Sequence, residues 1–214
     1  ILVLDFGGQY ASLIARRVRE LGVYSEVKPC DISLSEIGKL KPDGIILSGG
    51  PSSVYEHNAP TMSKKILDLG IPILGICYGE QFIGKFVGGN VLAGKLKEFG
   101  KKELVVRHNG RLLKGLSRKE QVWMSHGDLV TELPRDFEIL ASTDTCPIAA
   151  FENNEKRVYG IQFHAEVVHT PSGNQILRNF VFDICRAKKD WQIKSVSKRL
   201  IKDIKKEIGK NSVI

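Results

Sequence analysis

The segment Gly75-Ile76-Cys77-Tyr78-Gly79-Glu80-Gln81 sets a cysteine where an apolar run meets a helical pattern. Small residues two positions to either side permit the tight strand-to-helix turn that lifts a nucleophile off a sheet. The N-terminus of the following helix favours thiolate over thiol, so the spacing predicts a reactive Cys77. A thiol nucleophile needs a base. Among five histidines, His164 ends the apolar run 158–163 and is followed two residues later by Glu166. Strand alternation would send positions 164 and 166 to one side, so that the carboxylate holds one imidazole nitrogen while the other faces the thiol. Attack on an acyl carbon also needs backbone N–H groups aimed at the developing oxyanion. The N–H of Tyr78 is one donor, and the loop Ser48-Gly49-Gly50-Pro51 can supply another.

These residues need a scaffold, and the chain's periodicity describes one. Over the first 90 residues, short apolar runs (1–6, 23–28, 44–47, 71–76) alternate with patterns of helical spacing (10–21, a short helix to Leu40 capped by Ser33 or Ser35, 62–69, 78–87). Continuous apolar strands between helices predict a parallel sheet covered on both faces. From about Val91 to Phe163 the pattern changes to short strands separated by turn residues: 104–107, 121–125, 138–142, 148–151 and 158–163. Ser172 or Asn174 then opens a helix through Ile184. The expected fold class is α/β, a mainly parallel central sheet flanked by helices with a small appended antiparallel layer.

Composition narrows the functional classes. At 214 residues, 42% hydrophobic and 26% charged, the chain is neither disordered, collagen-like nor a disulfide scaffold. The net charge of +8 invites a nucleic-acid reading, but residues 186–214 carry ten Lys/Arg against three Asp/Glu, while residues 1–185 carry 22 against 21. The basicity belongs to the tail. There Ile193, Val196, Leu200, Ile204 and Ile208 form one helical stripe with lysines on the other faces, which must be buried against something. Docking to a neighbouring domain is the expectation; a helix on a membrane surface is the rival. No apolar run is long enough to span a bilayer, and the start lacks the basic region of a secretory signal. Cys30, Cys77, Cys146 and Cys185 show no C-x-x-C pairing, so reduced thiols, a cytoplasmic location and no metal site are expected.

Taken together, the residues resemble the class I, triad-type glutamine amidotransferases. The family's G-x-C-x-G-x-Q elbow is matched by Gly75 to Gln81, its H-x-E by His164 to Glu166, and its S-G-G-P loop by Ser48 to Pro51, over about residues 1–185. Asp5-Phe6-Gly7-Gly8-Gln9-Tyr10, Trp123-Met124-Ser125-His126-Gly127-Asp128, and the stretches 163–170 and 175–181 are similar to the GMP-synthetase branch of that family. The resemblance implies a flavodoxin-like core and hydrolysis of L-glutamine by Cys77, His164 and Glu166. It also implies an oxyanion hole at Gly50 and Tyr78, and substrate held by Gln81, Ser125, Gly127 and Asp128, with Asp128 near the α-amino group. His57, His108, His126 and His169 are left to structural or loop roles. The family usually has proline where this sequence has Ala165, which predicts retained chemistry with a looser His–Glu geometry. By the same resemblance, residues 186–214 would link to an ATP-pyrophosphatase domain that binds ATP, Mg and XMP. No cofactor is then expected within 1–185, no nucleic acid or membrane partner, and a homodimer in the full-length protein. The alternatives are another class I amidotransferase subunit or a non-catalytic regulatory module.

Overall fold

The computed structural model describes residues 1–192. The expected tail helix over 193–208 and the strand entry at 212–214 lie outside the described residues.

Chain order runs β1 (Leu2–Asp5), α1 (Ala11–Glu20), β2 (Glu26–Pro29), α2 (Leu34–Leu40), β3 (Ile45–Leu47), a 3-10 turn (Lys64–Asp68), β4 (Ile73–Ile76), α3 (Tyr78–Phe86), β5 (Asn90–Val106), β6 (Lys119–Glu132), β7 (Glu138–Ser142), β8 (Ala150–Asn153), β9 (Val158–Ile161), α4 (Gly173–Arg178) and a π-helical segment (Asn179–Ile184). Nine strands form one sheet in the order β2-β1-β3-β4-β9-β8-β7-β5-β6. The first five are mutually parallel and the rest pair antiparallel. Strands β3, β4 and β9 are buried along their whole length, as their unbroken apolar runs require. Alternate residues serve two cores. Val3, Ile46 and Leu74 pack toward α1 and α4, whereas Leu2, Leu4, Ile45, Leu47 and Ile73 pack toward Ile37 of α2 and Phe82 of α3.

The antiparallel region departs from the short-strand expectation. β5 and β6 are long, and only Val105 and Val106 of β5 join β7. The rest of the ribbon folds back over α3, where the Gln81 side chain donates to the Asp128 carbonyl and Gly84 lies beneath Val130. Turn glycines inside the ribbon, such as Gly100 at φ 90°, obscured its continuity in the sequence. Two further differences are local. The expected helix over 62–69 is only the 3-10 turn. The helix after Ser172 changes to π-helical pitch at Asn179, and the Ser172 hydroxyl donates to Glu120 Oε2 (2.7 Å) instead of capping. Ser33, by contrast, forms a full capping box with Glu36. Among the described residues no helix is long and apolar enough to cross a membrane.

In the sheet, β1 lies between β2 and β3, so the strand order reverses there and opens a crevice at the carboxyl ends. The loops after β1, β3 and β4 all reach that edge.

Candidate active site

Cys77 caps the end of β4, its N–H donating to the Ile161 carbonyl of β9 at 2.9 Å. Its backbone is left-handed (φ 55°, ψ −108°), a strained conformation for a residue with a side chain. The flanking glycines explain how the turn fits. A Cβ at Gly75 would collide with the backbone of Gly79, and one at Gly79 with the Leu47 backbone of β3. The turn starts α3 at Tyr78, so the Tyr78 N–H is one of the first helical donors, which have no intrahelical acceptor.

Loops after β1 and β3 interlock above this elbow. A Cβ at Gly8 would strike the Gly49 carbonyl, and one at Gly50 would sit 2.7 Å from the Phe6 carbonyl. Ser48 ties them together: its hydroxyl accepts from the Phe6 N–H (3.0 Å) and donates to the Gly49 carbonyl (2.9 Å). A Cβ on Gly49 would stand 3.2 Å from His164 Cε1 and 3.6 Å from Cys77 Cβ. Gly49 therefore borders both the thiol and the imidazole.

β9 ends at Ile161, so His164 and Glu166 lie in the loop beyond it, and strand alternation is not what unites them. The loop is held by its own bonds. The His164 N–H donates to the Trp123 carbonyl (3.0 Å), Thr170 Oγ1 donates to the His164 carbonyl (2.7 Å), and Arg17 Nε donates to the Glu166 carbonyl (2.9 Å). With both backbone ends fixed, His164 Nδ1 and Glu166 Oε1 meet at 2.7 Å. The looser geometry expected from Ala165 is thus not found; Ala165 is itself buried and packs its carbonyl against Gly173. Burial alone would lower the His164 pKa, but hydrogen bonds to Cys77 and Glu166, and their negative charges, outweigh it and raise it to about 10. Tyr10 packs edge-on against the imidazole at 5.1 Å.

The opposite wall comes from β6. The Cys77 thiol donates to the Ser125 carbonyl at 3.7 Å. The Asp128 carbonyl accepts from both Gln81 Nε2 and His126 Nδ1, each at 2.8 Å, and Asp128 Oδ1 accepts from the Tyr55 hydroxyl at 2.8 Å. Gly50, Cys77, Gln81, Ser125, Gly127, Asp128 and His164 all line one cleft of about 720 Å³. Tyr78 and Glu166 do not line it. The Tyr78 ring packs behind Gly50 and Phe6, and Glu166 is fully buried behind His164.

Several site residues escaped the sequence reading. His126, assigned only a structural role, lines the cleft, and its Nε2 meets Glu98 Oε2 at 2.9 Å. Glu98 also accepts from the hydroxyls of Thr143 (2.8 Å) and Thr145 (2.5 Å). Together these bonds pin the wall from behind. Tyr55 and Lys97 line the cleft as well. Among the described residues, Glu98, His126 and Cys146 form the one trio with metal-ligand spacing. Its chemistry is that of hydrogen bonding: Glu98 and His126 satisfy each other, and the Cys146 thiol, its pKa pushed up by burial and by Glu80, donates to the Ile148 carbonyl. The remaining histidines lie apart: His169 stacks on Trp123, while His57 and His108 are exposed. Glu80 is completely buried with no partner for either carboxyl oxygen among the described residues, and burial pushes its pKa well above the ordinary range.

A nucleophile elbow one strand away from the sheet's switch point, facing a buried histidine–carboxylate couple, is the arrangement of an α/β thiol enzyme. The model of the family described as glutamine amidotransferase class-I matches residues 2–184, and the chain belongs to that family. The chain is 53% identical over all 214 residues to a glutamine-hydrolysing GMP synthase of Caldicellulosiruptor saccharolyticus, and 49% identical to that of Caldanaerobacter subterraneus. It spans only 42% of the length of each of these relatives. Among solved structures, a Thermoplasma acidophilum protein provisionally described as a GMP synthase subunit superposes with a TM-score of 0.77. It is 37% identical, over 94% of this chain and 96% of that one. A glutamine amidotransferase of Thermotoga maritima, 19% identical, shares the fold at a TM-score of 0.68, over 86% of this chain and 96% of its own.

Proposed function

We propose that the chain is the glutamine-hydrolysing part of a GMP synthetase, with Cys77, His164 and Glu166 as its triad. The meeting of Cys77 and His164 on either side of Gly49, with His164 Nδ1 bonded to Glu166 Oε1 at 2.7 Å and both Cys77 and His164 opening on one cleft, supports this reading best. Cys77 Sγ, its proton passed to His164, attacks the side-chain amide carbon of glutamine, and the oxyanion is received by the N–H groups of Gly50 and Tyr78. His164 delivers its proton to the departing nitrogen, ammonia leaves, and a γ-glutamyl thioester remains. A water molecule then gives a proton to His164 and attacks the thioester, releasing glutamate and the thiol. Glu166 keeps the imidazole oriented and stabilises its charged form. Gln81, Ser125, Gly127 and Asp128 hold the amino acid, with Asp128 toward the α-ammonium group.

Ammonia would be used by the further portion of a longer protein, where ATP and Mg support amination of XMP to GMP. The length of the relatives and their names support that assignment. The test uses the longer protein with XMP and ATP. Cys77→Ala is expected to abolish GMP formation from glutamine while sparing formation from added ammonia. Loss of neither would contradict the role of Cys77. Absence of GMP with ammonia in the unaltered protein would assign the chain to another amidotransferase.

A further inference from the structure

Glutamine is a zwitterion in its backbone part, and Asp128 accounts for only one of its two charges. Among the described residues lining the cleft, Asp128 is the one Asp or Glu, and Lys97 is the one Lys or Arg. Among the described residues neither is in a salt bridge, so the two charges do not cancel each other across the wall.

The position of Lys97 follows from the β5–β6 register. Ala93 pairs with Asp128 and Glu98 with His126, so residues 94–97 of β5 stand against Gly127 alone. A bulge of this kind re-aims side chains toward a site. Glu98, at the end of the bulge, turns inward to His126 and the two threonines, which anchors the chain at that point. Lys97, its neighbour, is exposed to the cleft. Its stem crosses Gly127, with Cγ, Cδ and Cε at 3.8, 3.7 and 3.5 Å from where a Cβ of residue 127 would stand. These are ordinary contact distances, so the stem packs along the wall over residue 127. The ammonium is thereby carried beside the residues that flank Asp128.

We propose that Lys97 binds the α-carboxylate of the substrate amino acid and so selects free glutamine over uncharged amides. This assignment rests on the glutaminase reading above and adds a specificity residue to it. A cation and an anion lining one cleft match an α-amino acid and neither an amine nor a carboxylic acid alone. The flexible four-carbon stem and point charge of a lysine suit such an exposed ion contact.

The test follows alkylation of Cys77 in the folded protein by the diazo-ketone analogue of glutamine, by its des-carboxy counterpart, and by iodoacetamide. Unaltered protein is expected to react faster with the full analogue than with the des-carboxy one. In Lys97→Met the full analogue should slow by about tenfold or more, the loss of one charge-assisted hydrogen bond, closing the gap between the two analogues. The iodoacetamide rate should not change, and Lys97→Arg should restore selectivity. The KM for glutamine should rise in Lys97→Met with kcat held. Equal slowing by all three reagents, or an unchanged preference for the carboxylated analogue, would overturn the assignment of Lys97. Failure of unaltered Cys77 to react with the full analogue, while iodoacetamide still labels it, would instead overturn the glutaminase reading beneath it.

Discussion

Cys77 holds its side chain in place through backbone strain, at a cost of about 1–3 kcal/mol typical of left-handed non-glycine residues. The compensation is a thiol presented on a fixed turn beside an imidazole whose proton is retained. Two consequences are measurable at single residues. Gly49→Ala would press a methyl group between His164 Cε1 and Cys77 Cβ, and is expected to lower kcat/KM by about a hundredfold with little loss of stability. Steady-state kinetics alongside a thermal melt distinguishes this from unfolding. The second concerns His164, whose proton is held up to about pH 10 by Cys77 and Glu166. Protonation then stabilises the folded state fully below the unfolded value near 6.5, and that contribution is lost as pH rises through about 10. Cys77→Ala removes one of the two partners, so NMR titration of the His164 ring should give a lower pKa. An unchanged value would show that Cys77 does not contact it.

Among the elements, α3 joins the nucleophile to the core and carries a buried carboxyl with no partner among the described residues. Glu80 must stay protonated in the folded protein but ionises when unfolded, so stability falls as pH rises above about 4.5. Glu80→Met should stabilise by about 1–3 kcal/mol, and by more at about pH 8 than at about pH 5. Chemical denaturation at the two pH values checks both sign and trend. In α2, Ser33→Ala removes the reciprocal cap with Glu36 and should cost about 1 kcal/mol. The parallel strands and α1, α2 and α3 were legible because continuous apolar runs and 3.6-residue spacing are local signals. The π-helical end of α4 and the 3-10 turn at Lys64–Asp68 were not, since tertiary packing decides their pitch. Within the site, Cys77, His164 and Glu166 were legible as motifs. The Glu98–His126 pair joins residues 28 apart through a ribbon register, and Lys97 reaches the cleft only because four residues oppose Gly127. No local period encodes either.

At the scale of the whole molecule, the sheet divides the labour. Its parallel half supplies the elbow and the glycine loops at one edge, and the antiparallel ribbon returns over α3 to close the cleft. Beyond Cys185 the chain stays docked for several residues: the Ala187 N–H donates to Val181, and the Trp191 N–H to the Gly22 carbonyl at 3.0 Å. The strong positive charge of the sequence follows a body that is nearly neutral, and the described residues lining the cleft include one aspartate and one lysine. The central claim is that glutamine passes through a thioester on Cys77. Rapid acid quenching with radiolabelled glutamine, followed by peptide mapping, tests it directly in the folded protein. The expected result is label on the peptide containing Cys77, absent from Cys77→Ala. Label on another cysteine, or an equal amount retained in Cys77→Ala, would contradict it.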